Sequence, residues 1–172
     1  MARQTFLFDV VPCVSPSRSI EIQYRRPRGT QPGHQRADAT IMQLSEPVRK
    51  ILEKPEVVRI SVIDADGYPH TVPIWFARDG DEVVFFSSRS ARKIAYAQAN
   101  PKGAMSIGGD PYGSEGYLLK GEFSVEEDPE NRWLREITFR YEPPELAEQH
   151  VREWSGPDIV VMRFKAHKVI KI

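Results

Sequence analysis

Residues 83–93 have the sequence VVFFSSRSARK, which passes from a short apolar, β-prone run into a polar and basic turn. The residues that follow, 94–99, favour a helix. Three hydroxyls and three cations therefore lie at the start of this predicted helix. Free backbone N–H groups and the helix dipole favour an anion there, whereas cationic side chains oppose the dipole. A bound anion would interact favourably with both the helix N-terminus and the cationic side chains, so the junction predicts a phosphate site.

The junction follows a series of short predicted strands. Residues 57–63 and 70–76 favour two strands, and the Asp-Ala-Asp-Gly turn at 64–67 makes them a hairpin. A second turn at 78–81 leads into a third strand at 82–87. Two glycine-containing hairpins in series predict an antiparallel meander.

The remaining segments complete a mainly β fold that also contains helices. We predict a helix that begins after Ser45 as N-cap and ends before Pro55, helices at 90–99 and twice within 128–156, and strands at 104–108, 116–125, 159–164 and 168–172. Asn100-Pro101 ends the helix after the third strand, and Asp128-Pro129 is expected to start the insert. The fold class is therefore an antiparallel closed or split β-barrel. One helix follows strand 3, and a helical insert precedes the last strands.

Composition excludes several functional classes. The chain of 172 residues has 24 basic and 24 acidic residues, which argues against nucleic acid or an anionic membrane as the main partner. No apolar run approaches the roughly 20 residues of a membrane span. The single cysteine, Cys13, excludes an internal disulfide and fits a cytoplasmic location. Histidine spacing predicts no metal site.

The N-terminal region differs from the rest of the chain. Residues 1–42 contain six arginines and no lysine, and the stretch 29–35 has no apolar side chain. We expect residues 1–42 to be a flexible extension and residues 43–172 to form the barrel domain. Met42 as the start of translation remains open, and so does a transit peptide at the N-terminus.

The order of these segments resembles the split barrels related to pyridoxamine 5′-phosphate oxidase, especially their bacterial FMN- or deazaflavin-dependent oxidoreductases. The resemblance covers about 47–127, with a weaker continuation to Ile172. It is carried by the Asp-Gly turn, the strand PHTVPIWF at 69–76, VFFSS at 84–88, Arg92-Lys93 and Asn100-Pro101. The basic and aromatic C-terminal set with which the true oxidases hold their substrate has no counterpart here.

The resemblance implies a homodimer with two cofactors in clefts between the subunits, acting on a small-molecule substrate. By position, Val72, Pro73, Ile74 and Trp75 would line the flavin ring. Ser87 and Ser88 would contact the ribityl chain or phosphate, and Arg92 and Lys93 would hold the phosphate, for which charged donors are suited. The cofactor is FMN or coenzyme F-420, and no catalytic residue is identified.

Several alternatives stay open at this stage. The same barrel could be a binding module that holds flavin or haem without turnover, or a structural protein whose basic helix start binds nothing. Trp75 lies on the strand face opposite the more apolar one, so it either contacts a ligand or a partner, or fills the barrel. The stripe of Leu146, Ala147, His150, Val151 and Trp154 predicts that the insert packs on the barrel; Trp154 could instead reach the partner's cofactor. The loop 108–113 is expected to be mobile.

Overall fold

The computed structural model describes residues 43–109 and 115–172. The expected N-terminal extension and most of the expected mobile loop lie outside these residues. The helices and strands, in chain order, are α1 (Glu46–Leu52), β1 (Val58–Ile63), β2 (Pro69–Ile74), β3 (Ala77–Asp79), β4 (Glu82–Ser88), α2 (Arg92–Ala99), β5 (Lys102–Ile107), β6 (Tyr117–Glu127), α3 (Arg132–Tyr141), α4 (Pro144–Trp154) and β7 (Ile159–Lys171).

The seven strands form one antiparallel sheet in the order β2-β1-β5-β6-β7-β4-β3. Its two edge strands, β2 and β3, are consecutive in the chain and are joined only by Trp75 and Phe76. In a flat seven-stranded sheet the edges would be about 29 Å apart. The three Cα steps from Ile74 to Ala77 span at most about 11 Å. The sheet must therefore curl until its edges meet, which confirms the predicted mainly β split barrel.

The predicted meander is wrong. The 64–67 hairpin does join β1 to β2, and the 78–81 turn joins β3 to β4. However, the predicted strand 70–76 is broken after Ile74, because the chain crosses there from one edge of the sheet to the other. As a result β4 pairs with β3 and β7, at the far end of the sheet from β1.

The two predicted closing strands are a single strand, β7. Its middle residues stay paired with β6, Lys165 with Glu122 and Ala166 with Gly121. A β-bulge between Lys120 and Gly121 shifts the register but does not end the pairing. Bulges increase local twist, so this one helps the two longest strands to bend around the barrel.

Apolar side chains from every part of the sheet fill the barrel. Fully buried residues at its centre include Ile60, Phe85, Met105, Leu119 and Phe164. Helix α1 is predicted correctly and buries Val48, Ile51 and Leu52 against this core. Ser45 is at the N-cap position as expected, but its side chain forms no capping hydrogen bond. No helix in the described part of the chain is both long and apolar enough to span a membrane.

The insert packs on the outer face of β3, β4 and β7. Trp133 and Ile137 of α3 form a second apolar cluster with Ala77, Val84 and Val161. Helix α3 begins later than Asp128-Pro129 because Asn131, with φ of 52°, is the N-cap. The Asp128 carboxylate nevertheless caps the helix, accepting hydrogen bonds from the backbone N–H groups of Arg132, Trp133 and Leu134 at 2.9–3.3 Å.

Helix α4 differs from its predicted buried stripe. Ala147 is buried, but Leu146 is 40% exposed and Trp154 is 37% exposed. His150 and Val151 are half-buried. The apolar residues of α4 therefore lie on two surfaces of the helix. One of these surfaces faces the barrel, and the other is exposed.

We expect Gly121→Ala to destabilise the fold by about 3 kcal/mol. A Cβ at this position would lie 2.0 Å from the Lys165 carbonyl oxygen, at the bulge between the longest strands. Gly156→Ala is the matched control, because its Cβ would meet no atom within 4 Å, and it should change stability by less than about 0.5 kcal/mol. Urea unfolding measures both, and equal effects would contradict the close approach.

Candidate functional site

The barrel is open between β2 and the end of β4. Arg89 donates its backbone N–H to the Asp158 carbonyl at 2.7 Å, which continues the β4–β7 pairing by one residue. Because hydrogen-bonded and non-hydrogen-bonded pairs alternate in an antiparallel ladder, the backbone polar groups of Phe86 and Ser88 point away from β7. Strand β3 pairs with β4 only as far as Val84. The backbone at Phe86 and Ser88 therefore lines the opening.

Strand β2 forms the other side of the opening. The backbone N–H of Asp64 donates to the Tyr68 carbonyl at 2.9 Å, which fixes the alternation in the β1–β2 hairpin. The backbone groups of Val72 and Ile74 then face β1, whereas those of Pro69, Thr71 and Pro73 face outward. Both prolines occupy positions where the ladder requires no N–H donor. The open edge thus offers carbonyl groups and the single N–H of Thr71.

Trp75 is held beside this opening by the end of α3. Its ring stacks on Tyr141, with centroids 5.0 Å apart and planes 5° apart. The Tyr141 hydroxyl donates to the Glu56 carbonyl at 2.7 Å and accepts the Phe76 N–H at 3.3 Å. Burial raises the pKa of this phenol, so it stays a neutral donor. Tyr141 therefore fixes the crossover between the two edge strands and the orientation of Trp75.

The start of α2 has the properties of an anion site. Its N-cap is Ala91, which provides no side-chain acceptor for the free N–H groups of the first turn. Arg92 is exposed, and Lys93 is half-buried in the same turn. Burial lowers the pKa of the Lys93 ammonium. Within residues 43–109 and 115–172, neither cation forms an ion pair with an acid.

The preceding turn is fixed by side chains of its own. The Ser88 hydroxyl donates to Oδ2 of Asp158 at 2.5 Å and lies 2.8 Å from the Ser90 hydroxyl. Arg89 binds both carboxylate oxygens of Glu127, at 2.9 and 2.6 Å. Ser87 is buried, and its hydroxyl donates to the Ser88 carbonyl at 3.3 Å. These contacts attach the turn to the end of β6 and to the residue that precedes β7. They leave Arg92 and Lys93 without acidic partners in the described residues.

The residues predicted for the site thus lie on two sides of one opening. On one side, Pro73 is an exposed residue of β2 and Trp75 follows the end of this strand. Val72 and Ile74, also in β2, pack their side chains against the barrel core. Ser87, Ser88, Arg92 and Lys93 lie at the end of β4 and the start of α2. Their roles in holding a cofactor remain predictions. The described residues contain no cluster of three or more potential metal-ligating side chains.

Sequence reasoning missed the residues that position this site. Asp158 and Glu127 hold the Ser88–Arg89 turn, and Tyr141 holds Trp75. Each is distant in sequence from its partner, and nothing in the local pattern indicates the pairing. The one local signal for Tyr141 is its helical spacing from Trp133, Leu134 and Ile137, which places it on the apolar face of α3.

The fold defines a split-barrel protein with a polar opening beside the strand-to-helix junction. The family model described as pyridoxamine 5′-phosphate oxidase matches residues 44–171, so the chain belongs to that family. No curated protein matches the chain.

Solved structures with the same fold carry several different names. A structure named F420 reductase is 23% identical, with a TM-score of 0.59, and covers 71% of this chain and 94% of its own. A putative pyridoxamine 5′-phosphate oxidase from Listeria innocua is 23% identical, with a TM-score of 0.56, and covers 73% and 94%. A FAD-binding protein from Mesorhizobium loti is 21% identical, with a TM-score of 0.51, and covers 74% and 94%. At these identities the likeness supports the fold alone.

We expect Lys93→Met to raise the stability of the ligand-free protein at neutral pH. The folded-state pKa of Lys93 is lowered, so its charged form carries a folding cost below the folded pKa. That cost declines as pH rises through the folded pKa and is absent above the unfolded value of about 10.4. The stability difference between variant and wild type should therefore shrink from pH 8 to pH 10.5. Arg92→Met is the control, and a difference independent of pH would contradict the assignment.

Proposed function

We propose that this protein is a flavin-type oxidoreductase that binds FMN or coenzyme F-420 in the opening between β2 and β4. The observation that carries the proposal is Lys93, a half-buried cation without an acidic partner in the described residues, in the uncapped first turn of α2. A cation kept there at a cost to folding is explained by an anionic ligand. Membership of a family that includes oxidoreductases supports the proposal.

The residues at the opening fit such a cofactor. A terminal phosphate would take hydrogen bonds from the free N–H groups of α2 and from Arg92 and Lys93. Pro73 and Trp75 would border the ring, where the outward carbonyls of β2 and the N–H of Thr71 can pair with its polar edge. When bound, the flavin supplies the hydride chemistry, while these residues hold and orient it.

The choice between FMN and F-420 depends on cations beyond the phosphate. The deazaflavin has a longer anionic tail, which would require further basic side chains along its path. The candidate cations are Arg89, Lys120 and Arg163. Arg89 is paired with Glu127, and Arg163 with Asp79, Glu82 and Glu126, whereas Lys120 forms no ion pair within the described residues. This pairing of the nearby arginines favours the shorter FMN.

We further propose that the protein is a homodimer whose partner subunit closes the opening. The β2 edge is unpaired within the described residues, and its Pro73 and Thr71 are exposed. An edge that remains open in a monomer invites pairing or covering. Sedimentation velocity should give about twice the 19.7 kDa monomer mass. A monomer that still binds cofactor would contradict this arrangement.

We expect Lys93→Met to weaken FMN binding about tenfold or more and to leave riboflavin binding nearly unchanged. Only FMN carries the phosphate that Lys93 would contact, and one charge-assisted hydrogen bond has about this magnitude. Fluorescence titration with FMN, riboflavin and F-420 measures the three affinities. Arg132→Met, on the exposed surface of α3, is the control cation. Equal loss for FMN and riboflavin would contradict the phosphate anchor, and no binding of FMN or F-420 would refute the function.

A flavin-binding module without turnover is distinguished by a second measurement. The reduced cofactor is bound to the protein, and its reoxidation by several small electron acceptors is compared with that in free solution. An oxidoreductase should accelerate at least one acceptor selectively. Equal rates for all acceptors would instead support the module.

A further inference from the structure

The last turn of α3 contacts both residues of the crossover between β2 and β3. The ring of Tyr141 stacks on Trp75, with centroids 5.0 Å and planes 5° apart. The guanidinium group of Arg140 lies over the ring of Phe76, 4.9 Å from its centroid. The Tyr141 hydroxyl also accepts a hydrogen bond from the Phe76 N–H at 3.3 Å. The helical insert thus holds the crossover through three separate contacts.

The same two side chains bind the segment that leads into β1. The Arg140 guanidinium donates to the backbone carbonyls of Leu52 and Lys54, each at 2.7 Å. The Tyr141 hydroxyl donates to the Glu56 carbonyl, also at 2.7 Å. Strand β1 is the sheet neighbour of β2, whose other edge borders the opening. One phenol oxygen therefore connects the crossover to the segment before the strand that supports this edge.

The two hydrogen bonds of the Tyr141 hydroxyl determine where its ring lies against Trp75. Stacked rings accept a range of offsets, whereas a hydrogen bond is restricted in both distance and angle. The hydroxyl uses its proton on Glu56 and a lone pair on Phe76, so both contacts restrain it. Trp75 is half-buried beside the opening and stacks on this restrained ring. The orientation of the indole therefore depends on the hydroxyl of its neighbour.

We propose that Tyr141 is a positioning residue for the ring of the flavin, and that it acts through Trp75. The hydroxyl holds the Tyr141 ring, that ring orients the indole, and the indole borders the cofactor ring. This role rests on the proposed function, since it concerns the same cofactor. A purely structural tyrosine would stabilise the fold, but it would leave the affinity of the folded protein for the cofactor ring unchanged. Binding measurements therefore distinguish the two roles.

The test uses Tyr141→Phe, which keeps the stacked ring and its apolar contacts and removes the hydroxyl. The variant should weaken riboflavin and FMN binding by the same factor, about fivefold, because one hydrogen bond contributes about this much. The ratio of the two affinities should stay at its wild-type value, since the phosphate contacts proposed for Arg92 and Lys93 are unchanged. Fluorescence titration of the full chain measures both ligands, in conditions where each variant is shown to be folded. If the cofactor is F-420, the two ligands are F-420 and its phosphate-free deazariboflavin core.

A double-variant cycle shows whether Tyr141 acts through Trp75. Trp75→Leu should weaken riboflavin binding more than Tyr141→Phe does, and adding Tyr141→Phe to it should cause no further loss. Near-ultraviolet circular dichroism gives a second readout that needs no cofactor. Tyr141→Phe should alter the tryptophan bands that Trp75→Leu removes, because the indole is then no longer held in one orientation.

Tyr117→Phe is the matched control for the loss of a phenol hydroxyl. The Tyr117 hydroxyl donates to Glu115 at 2.6 Å, and the residue is buried in β6 and takes no part in the crossover contacts. This variant should change neither the two affinities nor the tryptophan bands, whatever its effect on stability.

Three results would overturn the positioning role. They are riboflavin binding by Tyr141→Phe as tight as that of wild type, an equal loss in Tyr117→Phe, and a loss that persists in full in the Trp75→Leu background. Cofactor binding without an effect of Tyr141→Phe would remove the positioning role and leave the oxidoreductase proposal. Wild type that binds neither FMN nor F-420 would refute both, so the two failures are distinguishable.

Discussion

The two-residue connection between β2 and β3 is the constraint on which this barrel depends. Trp75 and Phe76 must join the opposite edges of a seven-stranded sheet, so the sheet can exist only when curled. Tyr141 secures this crossover by stacking on Trp75 and by accepting a hydrogen bond from the Phe76 N–H. Its own hydroxyl donates a hydrogen bond to the backbone carbonyl of Glu56. The insert that carries Tyr141 is therefore part of the mechanism that closes the barrel, as well as a surface addition.

The same constraint creates the site. Because the crossover is short, the edge strands approach each other without pairing, and the end of β4 extends past β3. Backbone groups at Phe86, Ser88 and Thr71 are left facing the gap. Ser88 and Arg89 already bind Asp158 and Glu127. Arg92 and Lys93, at the start of α2, have no such partner in the described residues. The polar opening and the position of the α2 start beside it thus follow from the topology.

Local sequence patterns predicted the parts of this structure that local physics determines. Gly67 and Gly80 have positive φ at their turns, and both hairpins form as expected. The order of strands could not be predicted in this way, since β4 pairs with β7 more than seventy residues later. The single strand β7 was also missed, because its polar middle resembles a turn until β6 is beside it. For the site, the sequence indicated the cations Arg92 and Lys93 but gave no sign that Asp158 and Glu127 hold the preceding turn.

The departures from sequence pattern identify where function and folding compete. Helix α4 has enough apolar residues for a buried stripe, yet Leu146 and Trp154 stay exposed. Lys93 is the converse case, a charge that burial disfavours at a position where no described acid compensates it. Neither choice improves the folded monomer: exposing an indole forgoes burial, and desolvating an ammonium costs free energy. The proposed phosphate at the start of α2 would offset the cost at Lys93, because a nearby anion favours the charged ammonium.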